Sequence, residues 1–146
     1  MKQVADLIEG RPLVHVAAED SVLETARRMA RHNVGAVAVL DAGRLVGIFS
    51  ERDVLVRIVA EGRSPEETAV GAVMTRDVIV ANPADGVDDA VQKMVAGSCR
   101  HLPVVANGSL VAMISIRDLL QVDDDTNRER ATFLRELVTY SPDYDS

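Results

Sequence analysis

The sequence predicts an α+β fold: two copies of a β-α-β-β-α unit packed about a pseudo-two-fold axis, with one further helix after them. Three observations carry this. First, the chain repeats itself: shifted by 65 residues, positions 20–55 fall on 85–120 without a gap. Asp20 meets Asp85, Val22 meets Val87, Met29 meets Met94, Val39 meets Val104, and Gly43 meets Gly108. Repetition of this kind marks two copies of one supersecondary unit, each covering apolar surface that the other would expose. Second, each copy carries an apolar stripe of helical period followed by two short β runs. Third, the β runs are joined by turn residues, Asp41-Ala42-Gly43-Arg44 in one copy and Asn107-Gly108 in the other; Asn-Gly is a strong hairpin signal. The densest identity, Ser-x-Arg-Asp at 50–53 and 115–118, is polar within an apolar frame. That contrast makes it the first candidate for function.

The elements follow in order. Val4, Leu7 and Ile8 give a short amphipathic start to the first repeat, 4–62. Residues 12–17 read as a strand, with Val78–Ala81 as its counterpart. Ser21 caps a helix and Glu24 completes a capping box; Val22, Ala26, Met29 and Ala30 form its apolar face, repeated as Val87, Val91, Met94 and Val95. The β runs are Ala36–Leu40 and Leu45–Phe49, then Leu102–Val105 and Leu110–Ile114, and a helix begins at Ser50 and again at Ser115. Between the repeats, Ser64, Pro65 and Glu67 read as the start of a short connecting helix. Val70–Met74 opens the second repeat, 69–121, and falls opposite Ala5–Glu9. Asp123-Asp124-Asp125 reads as a solvated break, Thr126 and Glu129 cap a last amphipathic helix over 126–139, and Ser141–Ser146 reads as frayed.

Composition narrows the function classes. Hydrophobic residues make up 47% and aromatics only 3%, so the core is aliphatic. A net charge of −7 argues against nucleic acid or an anionic membrane as the main partner. Cys99 stands alone, so no intramolecular disulfide is possible and a reducing cytosol suits the chain. The start lacks a signal peptide pattern and no stretch approaches a membrane span, so the expected location is cytoplasmic. His15, His32 and His101 have no metal-like spacing. No phosphate-binding loop, nucleophile elbow or Cys/His nucleophile pair is present, so the expectation is a protein that is not an enzyme and requires no cofactor.

The ordered motifs carry a family resemblance. Arg100-His101-Leu102-Pro103-Val104-Val105, Asn107-Gly108, and Leu110 through Asp118 resemble the signature of the CBS domain (cystathionine β-synthase domain). Gly35–Leu40, Gly43 and Leu45–Asp53 repeat it, and Val73-Met74-Thr75 resembles the family's entry into a repeat. The resemblance covers roughly residues 4–121, and the pair resembles a Bateman module. It implies a three-stranded sheet and two helices per repeat, sheet-to-sheet packing, and a homodimer. It also implies a regulatory adenosine-containing ligand (AMP, ADP, ATP, NAD(H) or S-adenosylmethionine, with AMP or ATP foremost). Its effect would pass to a protein target in trans or through the chain's own oligomer. The alternative is a ligand-free dimeric interaction scaffold.

The resemblance assigns roles to matching positions. Asp53 and Asp118 would accept the hydroxyls of a ribose, since a carboxylate offers two acceptor oxygens. Ser50 and Ser115 would take phosphate or ribose, and Ile48 and Met113 would lie against the base. Arg52, Arg117, Arg100 and His101 would offset phosphate charge, with Pro103 beside them on the strand. The backbone around Thr75 and Val80 would meet the base edge, as Leu13–Val16 would in the other copy. A purely local reading stands beside this: Ser-x-x-Asp is also a helix cap, and a cap can leave one carboxylate oxygen free. Arg100 and His101 read equally as a surface residue and an edge-strand histidine, and Arg52 and Arg117 as partners of nearby acids at a dimer surface. In the first copy they are replaced by Gly35 and Ala36, so the two clefts are expected to differ chemically. Gly47 becomes Ala112 in the second copy; a glycine there would let a ligand approach the backbone. Cys99 reads either as a small buried hydrophobe or as a reactive thiol if Arg100 lowers its pKa.

Overall fold

The computed structural model describes residues 2–121. The helix expected over 126–139 and the tail beyond it lie outside the described residues. Helix α1 spans Val4–Ile8, strand β1 His15–Ala17, α2 Val22–His32, β2 Ala36–Asp41, β3 Arg44–Ser50 and α3 Glu51–Asp53. A π-helix over Val54–Val59 continues α3. Then come α4 (Val70–Val73), α5 (Val87–Gly97), β4 (His101–Ala106), β5 (Ser109–Ser115) and α6 (Ile116–Leu120).

Both hairpins close through two residues of positive φ, Ala42 and Gly43 at 51° and 78°, and Asn107 and Gly108 at 53° and 79°. This is the left-handed turn whose twist matches that of the flanking strands. β2 and β3 pair antiparallel with a register shift after Val39, and β4 and β5 do the same after Val104. At Ser21 the cap forms but the box does not: the hydroxyl oxygen accepts from the Glu24 amide at 3.0 Å, while the Glu24 carboxylate lies 3.6 Å from Arg27 Nη1 rather than on the Ser21 amide. The apolar face of α2 is corrected at one place. Ala30 is exposed and Thr25 is buried instead, its hydroxyl donating to the Ser21 carbonyl at 2.9 Å. In α5, Val95 likewise faces outward while Ala90 is buried.

The first sheet has three strands, with β1 parallel to β2, but the second has only β4 and β5. The strand expected over Val78–Ala81 is reduced to one bridge, Ala81 to Val104. Its two bonds form: the Ala81 amide donates to Pro103 O at 2.9 Å and Val105 N–H donates to Ala81 O at 2.8 Å. The flanking rungs need amide donors at residues 83 and 103, and both are proline. Proline has no N–H to give. At the position matching Pro83, the Ala18 amide makes the corresponding bond to Leu40 O at 2.9 Å.

The connecting helix expected at Ser64 is a single turn. Thr68 N–H reaches Ser64 O at 3.1 Å. The carbonyls of Pro65 and Thr68, which could carry a helix onward, accept instead from the amides of Leu23 and Val22, both at 2.9 Å.

Each repeat borrows its opening helix from the other. Val4 of α1 is buried among Val87, Met94, Leu102 and Ile114 of the second repeat. Val70, Val73 and Met74 are buried among Val16, Val22, Val37 and Phe49 of the first. The hydrogen bonds match: the Val4 amide donates to Asp85 O at 2.9 Å, and the Val70 amide to Asp20 O at 2.8 Å. Neither repeat closes its core alone, and the exchange draws the two sheets together, leaving clefts between them. Among the described residues no helix is long and apolar enough to cross a membrane.

Candidate functional site

Two clefts lie between the repeats, one beside each Ser-x-Arg-Asp motif. At the end of β3 the chain is extended at Ser50 and turns into α3. The Ser50 amide donates to Asp53 Oδ2 at 2.9 Å, and the Asp53 amide donates to Ser50 Oγ at 3.2 Å. The second copy repeats this: Ser115 N–H to Asp118 Oδ2 at 2.7 Å, and Asp118 N–H to Ser115 Oγ at 3.4 Å. Both motifs are therefore complete caps, and each cap uses Oδ2 while Oδ1 is directed elsewhere.

The first cleft, about 390 Å³, is lined by Ile48, Ser50, Arg52, Asp53, Thr75, Arg100 and His101, with Glu51, Arg57, Asp77 and Cys99. Thr75 pairs with Ile48 through both backbone bonds, at 3.0 and 2.9 Å. Its hydroxyl donates to Asp53 Oδ1 at 3.2 Å. Arg57 approaches the same oxygen through Nε at 3.4 Å, and its Nη1 donates to the Val73 and Met74 carbonyls at 3.1 Å.

The second cleft, about 710 Å³, is lined by Met113, Ser115, Arg117 and Asp118, and shares Gly35, Glu51, Arg100 and His101 with the first. The Asp118 carboxylate is taken up by Arg11: Nη1 donates to Oδ2 at 2.7 Å and Nη2 to Oδ1 at 2.9 Å. Burial acts to raise the Asp118 carboxyl, but the Arg11 hydrogen bond, the Ser115 amide and the Arg11 charge outweigh it and hold it below the ordinary carboxylate range.

Two expected residues belong to neither cleft. Val80 is exposed, and its carbonyl accepts from Lys93 Nζ at 2.8 Å; the matching pair in the first repeat is Arg28 on His15 O at 2.7 Å. That contact ties helix to strand and turns Val80 away. Pro103 is buried within β4, its carbonyl engaged by Ala81. Gly47 is also corrected. A Cβ there would lie 2.6 Å from Met74 Sδ and 2.7 Å from Thr75 O, so the glycine makes room for the chain's own 74–75 segment.

His101 stands in the wall common to both clefts. Burial is the largest influence on its imidazole and pushes its pKa down; Glu51 and Asp118 oppose this and Arg100 adds to it. Burial pushes the Cys99 thiol up, which contradicts the reading of an activated thiol. Among the described residues no group of three His, Cys, Asp or Glu is placed to hold a metal. Sequence reasoning missed Arg57 and Arg11. The first sits four residues after Asp53 on a helix, a spacing at which opposite charges meet. The second falls on Arg76 at the same 65-residue offset, outside the block of dense identity.

Comparison with known proteins agrees with this architecture. The CBS domain family model matches twice, over residues 4–60 and 70–125. A CBS domain-containing protein of Arabidopsis thaliana, CBSCBSPB2, is 43% identical over 101 residues, 68% of this chain but 19% of that protein, so the chain spans about a fifth of that relative's length. Among solved structures, the CBS domain protein PAE2072 from Pyrobaculum aerophilum, complexed with AMP, is 29% identical with a TM-score of 0.76, covering 95% of this chain and 100% of that one. The CBS domain pair of protein MJ0100, in complex with 5′-methylthioadenosine and S-adenosyl-L-methionine, is 26% identical with a TM-score of 0.73, covering 82% of this chain and 93% of that one.

Proposed function

The chain belongs to the CBS-domain family, with two such domains in tandem, and from that premise we propose that it is a regulatory, non-catalytic module that binds an adenosine-containing ligand in an inter-repeat cleft. The observation that carries the reading is the first cleft itself. Asp53 reaches its wall with Oδ2 committed to the Ser50 cap and Oδ1 held only by the Thr75 hydroxyl and one looser Arg57 contact. In this reading Asp53 accepts ribose hydroxyls, Ser50 hydrogen-bonds ribose or phosphate, and Ile48 lies against the base. Arg52, Arg100 and His101 face the phosphates. Asp118, Ser115, Met113 and Arg117 are the corresponding set in the second cleft. The AMP and S-adenosylmethionine complexes of the two similar structures support this ligand class. AMP or ATP is the foremost candidate.

Binding regulates by differential affinity for two arrangements of the repeats or of a homodimer. The protein acts in the cytoplasm on a target in trans or through its own oligomer, and sedimentation of the purified chain tests the dimer. The deciding experiment is calorimetric titration with AMP, ADP, ATP, NAD(H) and S-adenosylmethionine, with Asp53→Asn alongside. The substitution keeps a cap acceptor and removes the charge. One ligand should bind, and Asp53→Asn should weaken it about tenfold or more. A second reading, the ligand-free scaffold, is favoured by the completeness of both caps, which alone account for the Ser-x-x-Asp pattern in each copy. It becomes the better one if no adenosine compound binds or shifts the melting temperature.

A further inference from the structure

We propose that Arg11 is the residue that sets which cleft a ligand can occupy, by latching the second one shut at its ribose-binding carboxylate. The inference rests on the reading of the clefts as adenosyl sites. Four of the five guanidinium N–H groups are committed. Beyond the two bonds to Asp118, Nη1 donates to Met113 O at 3.2 Å and Nη2 to Leu7 O at 3.0 Å. The group thus fastens α1, β5 and α6 together at one point. Bidentate pairing to a carboxylate is the strong form of a charged hydrogen bond, and this one is shielded, with the Asp118 side chain 16% and the Arg11 side chain 33% exposed.

A ribose diol in this cleft needs the same two oxygens that Arg11 holds. It would have to displace the guanidinium and leave two backbone carbonyls without their donor. Charged hydrogen bonds of this class discount affinity by roughly ten- to a hundredfold. The first cleft asks less: Asp53 Oδ1 is held by the Thr75 hydroxyl at 3.2 Å and a single Arg57 Nε contact at 3.4 Å, and no guanidinium grips both of its oxygens.

The test is calorimetric stoichiometry with AMP. Wild-type protein should bind one equivalent, weakened about tenfold or more by Asp53→Asn. Arg11→Ala should bind two, and the gained site should vanish in Arg11→Ala/Asp118→Asn. Arg11→Lys, which can reach one carboxylate oxygen but not grip both, should give a second site of intermediate affinity. It also serves if Arg11→Ala fails to fold, as far-ultraviolet circular dichroism and melting would show. Two equivalents in wild type, or one in both the alanine and lysine variants, overturns the latch. A wild type that binds nothing beside an Arg11→Ala protein that binds one equivalent upholds the latch while removing the first-cleft reading. No AMP bound by any of them overturns the latch together with the AMP-site reading on which it rests.

Discussion

The two clefts carry the same cap, the same serine and the same aspartate, yet one is open and the other latched. The difference begins three residues before the end of each motif's strand, at Gly47 in β3 and Ala112 in β5. In the first repeat Gly47 leaves room for Met74 and Thr75, and Thr75 pairs with Ile48 in both directions. In the second repeat the matching residue is Ala112, buried with its methyl in the core. The segment matching 74–75 is Glu9-Gly10, and it makes no such pairing. Gly10 has φ of 72° in open space, and the chain swings off. The Met113 carbonyl, equivalent to the one that accepts from Thr75, accepts from the Arg11 side chain instead. Duplicated motifs therefore do not make duplicated sites; the segment that crosses each motif decides what its carboxylate faces.

The largest expected effect tests this origin directly. Gly47→Ala places a methyl against the Thr75 carbonyl, which cannot retreat without breaking its pairing with Ile48. The expected cost is about 1–3 kcal/mol, as for overpacking generally. It should come with weakened binding in the first cleft, read by urea denaturation and AMP titration. Ala112→Gly meets no such neighbour and should cost only about 0.5–1 kcal/mol, mainly backbone entropy. Equal costs would remove the steric explanation of the asymmetry.

Next in size is the latch as a contributor to stability. The folded state holds the Asp118 carboxyl below its ordinary value. Such a group stabilises the fold above its unfolded pKa and loses that contribution as pH falls through the lower, folded value. Wild type should therefore lose stability below about pH 4. Arg11→Ala should be weaker by about 1 kcal/mol at pH 7, a figure discounted for the solvent that reaches Arg11, and should lose less on acidification. Denaturant titrations at pH 7 and at about pH 3 separate the two curves; parallel curves would mean the pair adds nothing.

Much of this architecture was legible because it is repeated and local. The hairpins follow from Asn107-Gly108 and its looser copy, the motif caps from Ser50 and Ser115, and the second sheet from the β runs. Loss of its third strand was written in Pro83 and Pro103, but only a register tells which amides a ladder needs. Exchange of α1 and α4 was hidden because the weak match between Ala5–Glu9 and Val70–Met74 says they are equivalent, not which core each enters. Arg11 was hidden for a related reason. Its partner lies 107 residues away, and its reach depends on a glycine turn that no local pattern announces. The π-helix after Asp53 also left no mark in Val54–Val59, whose apolar spacing reads as an ordinary helix.

A smaller effect concerns the wall between the clefts. Burial holds the His101 pKa below its ordinary value, against Glu51 and Asp118. The unfolded chain then takes the proton first, near pH 6.5. Stability should fall as pH drops through that point and level off once the folded form is protonated too, at a rate of no more than about 1.4 kcal/mol per pH unit. His101→Gln should flatten the curve between pH 7 and about pH 5 without touching the carboxylate loss at lower pH. A slope unchanged by the substitution would mean that the imidazole is not the group responsible.

The smallest expected signal decides which cleft a ligand enters. Cys99 lines the first cleft and not the second. With burial raising its pKa, little thiolate exists at neutral pH, and thiolate is the species that alkylates. Iodoacetamide should therefore label Cys99 more slowly than free cysteine at pH 7. AMP in the first cleft should slow it further. Arg11→Ala should leave both the slow labelling and its protection in place, because the guanidinium lies on the other side of the shared wall. If AMP saturates the wild-type protein while the labelling rate of Cys99 stays the same, the ligand has entered the Asp118 cleft. The comparison would then run the other way, with Arg11 the residue a ligand displaces and Asp53 a cap alone.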